Sequence, residues 1–201
     1  MDVVVATNNP NKIEEIIQIL KDTDFRVISM NDLKNIPEIL EDGLTFEENA
    51  RKKALTIAKL TGRITLADDS GLVVDALNGR PGVQSARYSG ENASPQENNR
   101  KLLEALKDVP MKKRTARFVC VIAIAMPSGK VSVVEGRCEG LIARELRGAE
   151  GFGYDPLFIE PDSDKTFAEL GSTVKNKISH RAIAIEKATK ILTEVSSKEK
   201  G

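Results

Sequence analysis

Residues 117–126, Arg-Phe-Val-Cys-Val-Ile-Ala-Ile-Ala-Met, are mostly apolar, without the alternation of a half-exposed strand. The run is about half of the roughly 20 residues a bilayer-spanning helix needs. A continuous apolar strand of this length is covered on both faces. Pro127-Ser128-Gly129-Lys130 turns it directly into a second extended stretch, residues 131–137, which signals an antiparallel hairpin. Strands and helices interleave along the rest of the chain, and this hairpin interrupts the alternation. The expectation is therefore an α/β fold with a mixed sheet flanked by helices, since the hairpin excludes a purely parallel one.

The remaining elements interleave accordingly. Val3-Val4-Val5-Ala6 reads as a first strand, followed by a helix with Ile13, Ile16, Ile17 and Leu20 on one face, capped by Asn9 with Pro10 in its first turn. A second helix starts at Thr45, where Glu48 completes a capping box, and runs through Ala50, Ala54, Ile57 and Ala58 to about Leu60. Residues 64–67 read as a strand ending abruptly at Asp68-Asp69-Ser70-Gly71, with an extended pattern resuming at residues 72–74. Gly79-Arg80-Pro81-Gly82 breaks that pattern. Residues 95–106 form a helix, residues 157–159 a short strand, and a last helix begins near Ser179 and ends about Val195. Residues 196–201 are expected to fray. Without repeats or a linker, residues 1–195 read as a single domain of two lobes.

Thirty basic and thirty acidic residues cancel, and there is no clustered basic stripe, which argues against a nucleic-acid or anionic-membrane partner. The N-terminus lacks the basic leader and long apolar stretch of a secretory signal. Cys120 and Cys138 have no second Cys or His at ligand spacing and read as buried free thiols. These features suit a cytoplasmic protein.

Four segments carry candidate chemistry. Thr7-Asn8-Asn9-Pro10-Asn11-Lys12 lies at a strand-to-helix junction, where unpaired N–H groups and a lysine suit a phosphate chain; an ordinary capped helix with a surface lysine reads equally from this segment. Asp68 and Asp69 end an apolar strand, and adjacent carboxylates there need a cation or hydrogen-bond donors. Hard oxygen ligands favour Mg²⁺, and neighbouring side chains of a strand diverge, so one Asp would hold metal and the other position a ligand or activate water. Glu41, ahead of the second helix, could add a carboxylate, and Lys53 sits on that helix. Gly151-Phe152-Gly153-Tyr154-Asp155-Pro156 sets two aromatics among glycines in a chain that is only 4% aromatic, either to stack on a base or to staple a turn to the core. Lys175-Asn176-Lys177-Ile178-Ser179-His180-Arg181 opens the last helix and holds the one histidine, as a site or as structure.

Together with Thr45-Phe46-Glu47-Glu48-Asn49-Ala50 and Pro81-Gly82-Val83-Gln84-Ser85-Ala86-Arg87-Tyr88, these segments resemble the inosine triphosphate pyrophosphatase family, in order and over nearly the whole chain. One departure is Asn8, where many relatives carry glycine; Asn tolerates left-handed backbone, so the loop survives. The resemblance implies an elongated mixed sheet, two lobes with a central substrate cleft, and a homodimer. It implies that Thr7, Asn8, Asn9, Pro10, Asn11, Lys12 and Lys53 hold phosphates and that Glu41 and Asp69 bind Mg²⁺. Asp69 would also be the proton acceptor, supported by Asp68, with Ser70 touching substrate. Phe152, Gly153, Tyr154, Asp155, Lys175, His180 and Arg181 would hold the nucleoside.

The activity so implied is hydrolysis of ITP, dITP and XTP to monophosphate and pyrophosphate, through water attack at the α-phosphorus. A donor such as Lys175 or Arg181 facing the 6-oxygen would reject adenine. A Maf-type pyrophosphatase is the nearest rival, opposed by the Phe152–Asp155 and Ser179–Arg181 segments. A non-catalytic nucleotide binder is a second, opposed by the carboxylate set.

Overall fold

The computed structural model describes residues 1–199, with side chains through residue 197. Seven strands form one sheet: β1 (Asp2–Val5), β2 (Arg26–Ser29), β3 (Thr65–Val74), β4 (Thr115–Ala125), β5 (Val131–Ile142), β6 (Phe158–Glu160) and β7 (Lys165–Thr166), in the order β2-β1-β3-β4-β5-β6-β7. β1 pairs in parallel with β2 and β3, whereas β6 pairs antiparallel with β5 and β7. The sheet is thus mixed, as the hairpin signal requires. At the turn between β4 and β5, Met126 N–H donates to the Lys130 carbonyl at 2.8 Å.

Five helices accompany the sheet: α1 (Pro10–Leu20), α2 (Phe46–Thr61), α3 (Pro95–Ala105), α4 (Phe167–Ile178) and α5 (His180–Glu199). Asn9 caps α1 through Asn11 and Lys12 N–H, and Thr45 with Glu48 forms the expected capping box on α2. α5 continues four residues past Val195, and residues 200–201 of the expected tail lie outside the described residues. No helix among the described residues is long and apolar enough to cross a membrane.

Two local readings are corrected. Asp68-Asp69-Ser70-Gly71 is not a turn, because β3 runs unbroken through it. The carboxylates find cationic and amide partners along the strand, so nothing forces the chain to turn back toward water. Likewise, Lys175 does not open the last helix; it lies in the final turn of α4, an element the sequence reading missed. Thr166 and Glu169 cap α4 with a complete capping box, but Gly171, at φ 75°, interrupts its apolar periodicity. The break before α5 is Ser179, whose backbone is extended.

The described chain divides into two compact units: residues 1–69, 120–136 and 181–199, and residues 70–119 and 137–180. β3, β4 and β5 each contribute to both. The first unit has its own aliphatic core, with Val3, Val5, Ile16, Leu66, Ile122 and Ile185. The second is built on Leu72, Leu102, Leu106, Phe118, Phe158 and Phe167. The Phe118 ring lies 4.7 Å from Phe158 and 5.9 Å from Phe167, which concentrates the scarce aromatics here. Cys120 is a buried free thiol as expected, whereas Cys138 is only half-buried. Burial pushes their thiols up to about 12 and about 11, which leaves both protonated and inert at neutral pH.

Two features of the second unit show how its loops are held. Ser85 Oγ accepts from Leu72 N–H of β3 at 2.8 Å, and the Ser85 carbonyl accepts from the Tyr154 hydroxyl at 2.9 Å. The Pro81–Tyr88 motif thereby ties β3 to the Gly151–Pro156 loop. Arg114, 2% exposed, donates to the carbonyls of Ala143 at 2.6 Å and Leu106 at 2.7 Å. It closes the C-terminal end of α3 onto the end of β5. Replacing Arg114 by Ala would strand these buried acceptors, and we expect a loss of about 3 kcal/mol in urea unfolding.

Candidate active site

The first unit assembles its charged groups around two neighbouring positions of one strand. β1 delivers the chain to Thr7, whose Oγ1 accepts from Asn9 N–H at 3.2 Å, and Asn9 Oδ1 in turn accepts from Asn11 N–H at 3.0 Å. This stapled loop starts α1, on whose first turn Lys12 reaches Asp68 Oδ2 at 2.9 Å. Asn8 is not among the positive-φ residues Asn35, Asn78 and Asp164, so the loop makes no demand for glycine there. Arg181, in the first turn of α5, places Nη2 3.4 Å from the same Asp68 oxygen, while its Nη1 is ion-paired with Glu15 of α1. Asp68 is completely buried.

Asp69 points the other way, as alternation along β3 dictates. Its Oδ2 accepts from Asn49 Nδ2 of α2 at 3.0 Å, and its Oδ1 lies 3.7 Å from Lys53 Nζ. Lys53 Nζ also meets Glu41 Oε1 at 3.0 Å. Asn49 Oδ1 accepts from Gly43 N–H at 2.8 Å, so one amide side chain pins both the Glu41 loop and the Asp69 carboxylate. A Cβ on Gly43 would sit 2.6 Å from that Oδ1, which explains a glycine at this place.

A second group lies in the second unit. Asp155, 2% exposed, accepts from Phe152 N–H at 2.9 Å and from Lys175 Nζ at 2.6 Å. The Lys175 ammonium stands 4.5 Å over the Phe152 ring, a cation–π contact. Gly151 has positive φ, and a Cβ there would collide with the Asp155 carboxylate. Asn99 Nδ2 holds the Gly153 carbonyl at 3.0 Å. Tyr154 is 5% exposed and packs in the core with its hydroxyl on Ser85, so its ring staples the turn. His180 is 3% exposed and stacks on Phe118 at 4.6 Å, with 11° between the rings. Ser70 is half-buried on β3.

This order of motifs and elements matches a known family model, that of the Ham1 family, over residues 3–191. The chain belongs to the Ham1 family. It is 53% identical over 195 residues to a dITP/XTP pyrophosphatase of Desulforamulus reducens, covering 97% of each chain. It is 50% identical over 191 residues to the dITP/XTP pyrophosphatase of Bacillus subtilis, covering 95% of this chain and 96% of that one. Among solved structures, a Ham1 protein from Coxiella burnetii superposes with a TM-score of 0.87 at 44% identity, over 96% of this chain and 99% of that one. The Staphylococcus aureus Ham1 protein gives 0.86 at 43%, with the same coverage. The resemblance carried by the motifs and the α/β fold it implied both hold.

The electrostatics separate the two carboxylates of this Ham1 protein. Burial alone would raise the Asp68 carboxyl, but Lys12, Arg181 and Lys53 outweigh it and hold it well below the ordinary range. Burial raises Asp69 and Glu41 adds to the rise, against Lys53, Lys12 and Asn49. Burial would likewise lower Lys53, yet Asp69, Asp68 and Glu41 keep it above its usual value and hence charged. Neighbouring carboxyls pushed apart in this way suit different tasks, a fixed anion and a proton acceptor.

Of the residues singled out from sequence, Lys12, Lys53, Glu41, Asp68, Asp69 and Arg181 converge in the first unit, and Phe152, Asp155 and Lys175 in the second. Asn49 and Glu15 were missed. Asn49 lies inside a quoted motif, Thr45–Ala50, but nothing in its spacing marks it as the partner of Asp69. Glu15 stands one helical turn after Lys12, a spacing that puts both on one face of α1. Among the described residues, no group of three or more His, Cys, Asp and Glu side chains gathers at metal-binding distance.

Replacing Asp68 by Asn would leave Lys12 and Arg181 without their buried anion. We expect a loss of about 3–5 kcal/mol at neutral pH. Because the folded carboxyl is depressed, its contribution is present above its ordinary value of 3.8 and is lost as pH falls through the lower folded value. Urea unfolding at descending pH should therefore show the gap between wild type and Asp68→Asn narrowing below that point; a constant gap would contradict it.

Proposed function

We propose that this Ham1 protein hydrolyses the non-standard purine nucleoside triphosphates ITP, dITP and XTP to the monophosphate and pyrophosphate. The observation that carries the reading is the divided carboxylate pair on β3: Asp68 is locked by Lys12 and Arg181, while Asp69 shares Lys53 with Glu41. The substrate class is supported by the names of relatives at 53% and 50% identity.

In this reading Thr7, Asn8, Asn9, Pro10, Asn11, Lys12 and Lys53 hold the phosphates, using the positive end of α1 together with the two ammonium groups. Glu41 Oε1 and Asp69 Oδ1 both approach one cationic nitrogen, so hard oxygen donors already converge around a single positive charge. That donor set fits Mg²⁺, which is commonly held by one or two carboxylates together with substrate phosphates. A bound Mg²⁺ would offset triphosphate charge in the transition state. Asp69 is the assigned acceptor of the proton of the attacking water, and Asn49 fixes the orientation of its carboxylate. Asp68 remains ionised and keeps Lys12 and Arg181 in place.

For the nucleoside end we assign Phe152, Gly153, Tyr154, Asp155, Lys175, His180, Arg181 and Ser70. Tyr154 and His180, both packed on the aromatic and aliphatic core, act by shaping the loop and helix start. Lys175, whose ammonium stands beside the Phe152 ring and Asp155, is the donor assigned to the purine 6-oxygen. Adenine presents an amino donor at that position and leaves the ammonium unmatched, a penalty on the order of 1–3 kcal/mol. A cytoplasmic location, supported by the sequence features above, and a homodimer, supported by the motif resemblance, complete the proposal.

Pyrophosphate release with ITP and Mg²⁺, followed by a chelator, tests the reaction: we expect turnover that stops on chelation. Asp69→Asn should lower kcat by about 100-fold or more with its unfolding midpoint preserved, whereas near-normal turnover would remove Asp69 from proton transfer. ITP and XTP should exceed ATP in kcat/KM by about ten-fold or more, and equal rates on ITP and ATP would refute the base assignment.

A further inference from the structure

The position shared by Glu41 and Asp69 is filled by a cation of the protein itself. Lys53 Nζ lies 3.0 Å from Glu41 Oε1 and 3.7 Å from Asp69 Oδ1, and its side chain is only 8% exposed. We propose that Lys53 is a resident counter-cation of the metal site, which keeps divalent ions out until phosphate oxygens draw its ammonium away. The inference rests on the assignment of Glu41 and Asp69 as metal ligands and adds an order to the events there.

The physical case begins with repulsion. A divalent ion taking the same carboxylate oxygens would lie within a few ångströms of the ammonium, in surroundings that screen charge far less than water does. Ammonium and metal therefore compete for one position. The carboxylates are the less able to yield. Asp69 is anchored by Asn49 at 3.0 Å and belongs to a central strand. The Glu41 loop is fastened on both sides of its neighbour: Asp42 is paired to Lys52 at 2.6 Å and Gly43 N–H to Asn49 at 2.8 Å. Consecutive lysines of α2 thus hold consecutive acids of the loop. Lys53, by contrast, ends in a flexible four-carbon stem and can swing its charge to a new anion without moving the helix.

A triphosphate supplies that anion. Its arrival removes the ammonium from between the carboxylates and brings oxygens that complete a metal's shell, so metal and nucleotide bind with positive coupling. Without nucleotide the site keeps its own positive charge and its carboxylates stay paired. A lysine standing clear of the two carboxylates would have no such effect, and removing it would leave metal affinity of the nucleotide-free protein nearly unchanged.

Mn²⁺ titration of the nucleotide-free protein, with free Mn²⁺ read by electron paramagnetic resonance, distinguishes these cases. Lys53→Met should bind Mn²⁺ about ten-fold or more tightly than wild type, while Lys53→Arg, which keeps the charge, stays as weak as wild type. If Lys53→Met does not fold, Lys53→Gln retains hydrogen bonds to the carboxylates and carries the same expectation. Equal or weaker Mn²⁺ binding by the folded neutral variant overturns the counter-cation role and leaves the hydrolytic reading intact. Mn²⁺ bound by none of the proteins overturns the metal assignment itself, and the inference with it.

Discussion

A carboxylate with no solvent exposure sits in the middle of a strand of this molecule, and much of the first unit is arranged to make that tolerable. Asp68 would be costly to bury alone. It is offset by Lys12 from α1 at 2.9 Å and by Arg181 from α5 at 3.4 Å, and Arg181 also pairs with Glu15 of α1. The closed circuit ties β3 to the starts of two helices. The same interaction places the N-terminus of α1, with its staple of Thr7 and Asn9, at the site. One of the two cations that stabilise the buried anion, Lys12, is also one of the two ammonium groups assigned to the phosphates in the proposed function.

The period of a strand then does the second piece of work. Because successive side chains of β3 point to opposite faces, Asp69 meets a different set of neighbours one residue on. It finds an amide, an ammonium and a loop carboxylate instead of two fixed cations. Burial dominates its behaviour, as opposing charges dominate that of Asp68. Two chemically identical residues acquire distinct characters from backbone geometry alone, and no turn is needed to separate them.

The second unit shows a looser relation between motif and role. Two aromatics between glycines behave differently: Phe152 lies beneath the Lys175 ammonium, while Tyr154 is sunk into the core with its hydroxyl on Ser85. Gly151 answers to the Asp155 carboxylate, which draws Phe152 N–H and Lys175 together and excludes a side chain there. The segment around residue 175 reads as a helix start in sequence because lysines, a serine and the histidine cluster there. In the folded chain it is the end of one helix and the start of another, parted by the extended Ser179.

What the sequence determined by itself is what depends on neighbours three or four residues apart. Although α1 buries Ile16 and Leu20 as read but exposes Ile17, the caps at Asn9 and Thr45, the apolar face of α2, the buried strand β4 with its turn, and hence the mixed α/β class were legible there. So were most of the charged residues, since the motifs that carry them are contiguous. Continuity of β3 through Asp68-Asp69-Ser70-Gly71 was not legible, nor was α4 across Gly171, nor the parts played by Asn49 and Glu15. Arg181 stands 113 residues from Asp68 and 166 from Glu15 in the chain. Periodicity and capping carry no information over such separations. Only packing of the strands and helices brings those charges together, and burial among unlike neighbours then holds one carboxyl below its ordinary range and raises the other.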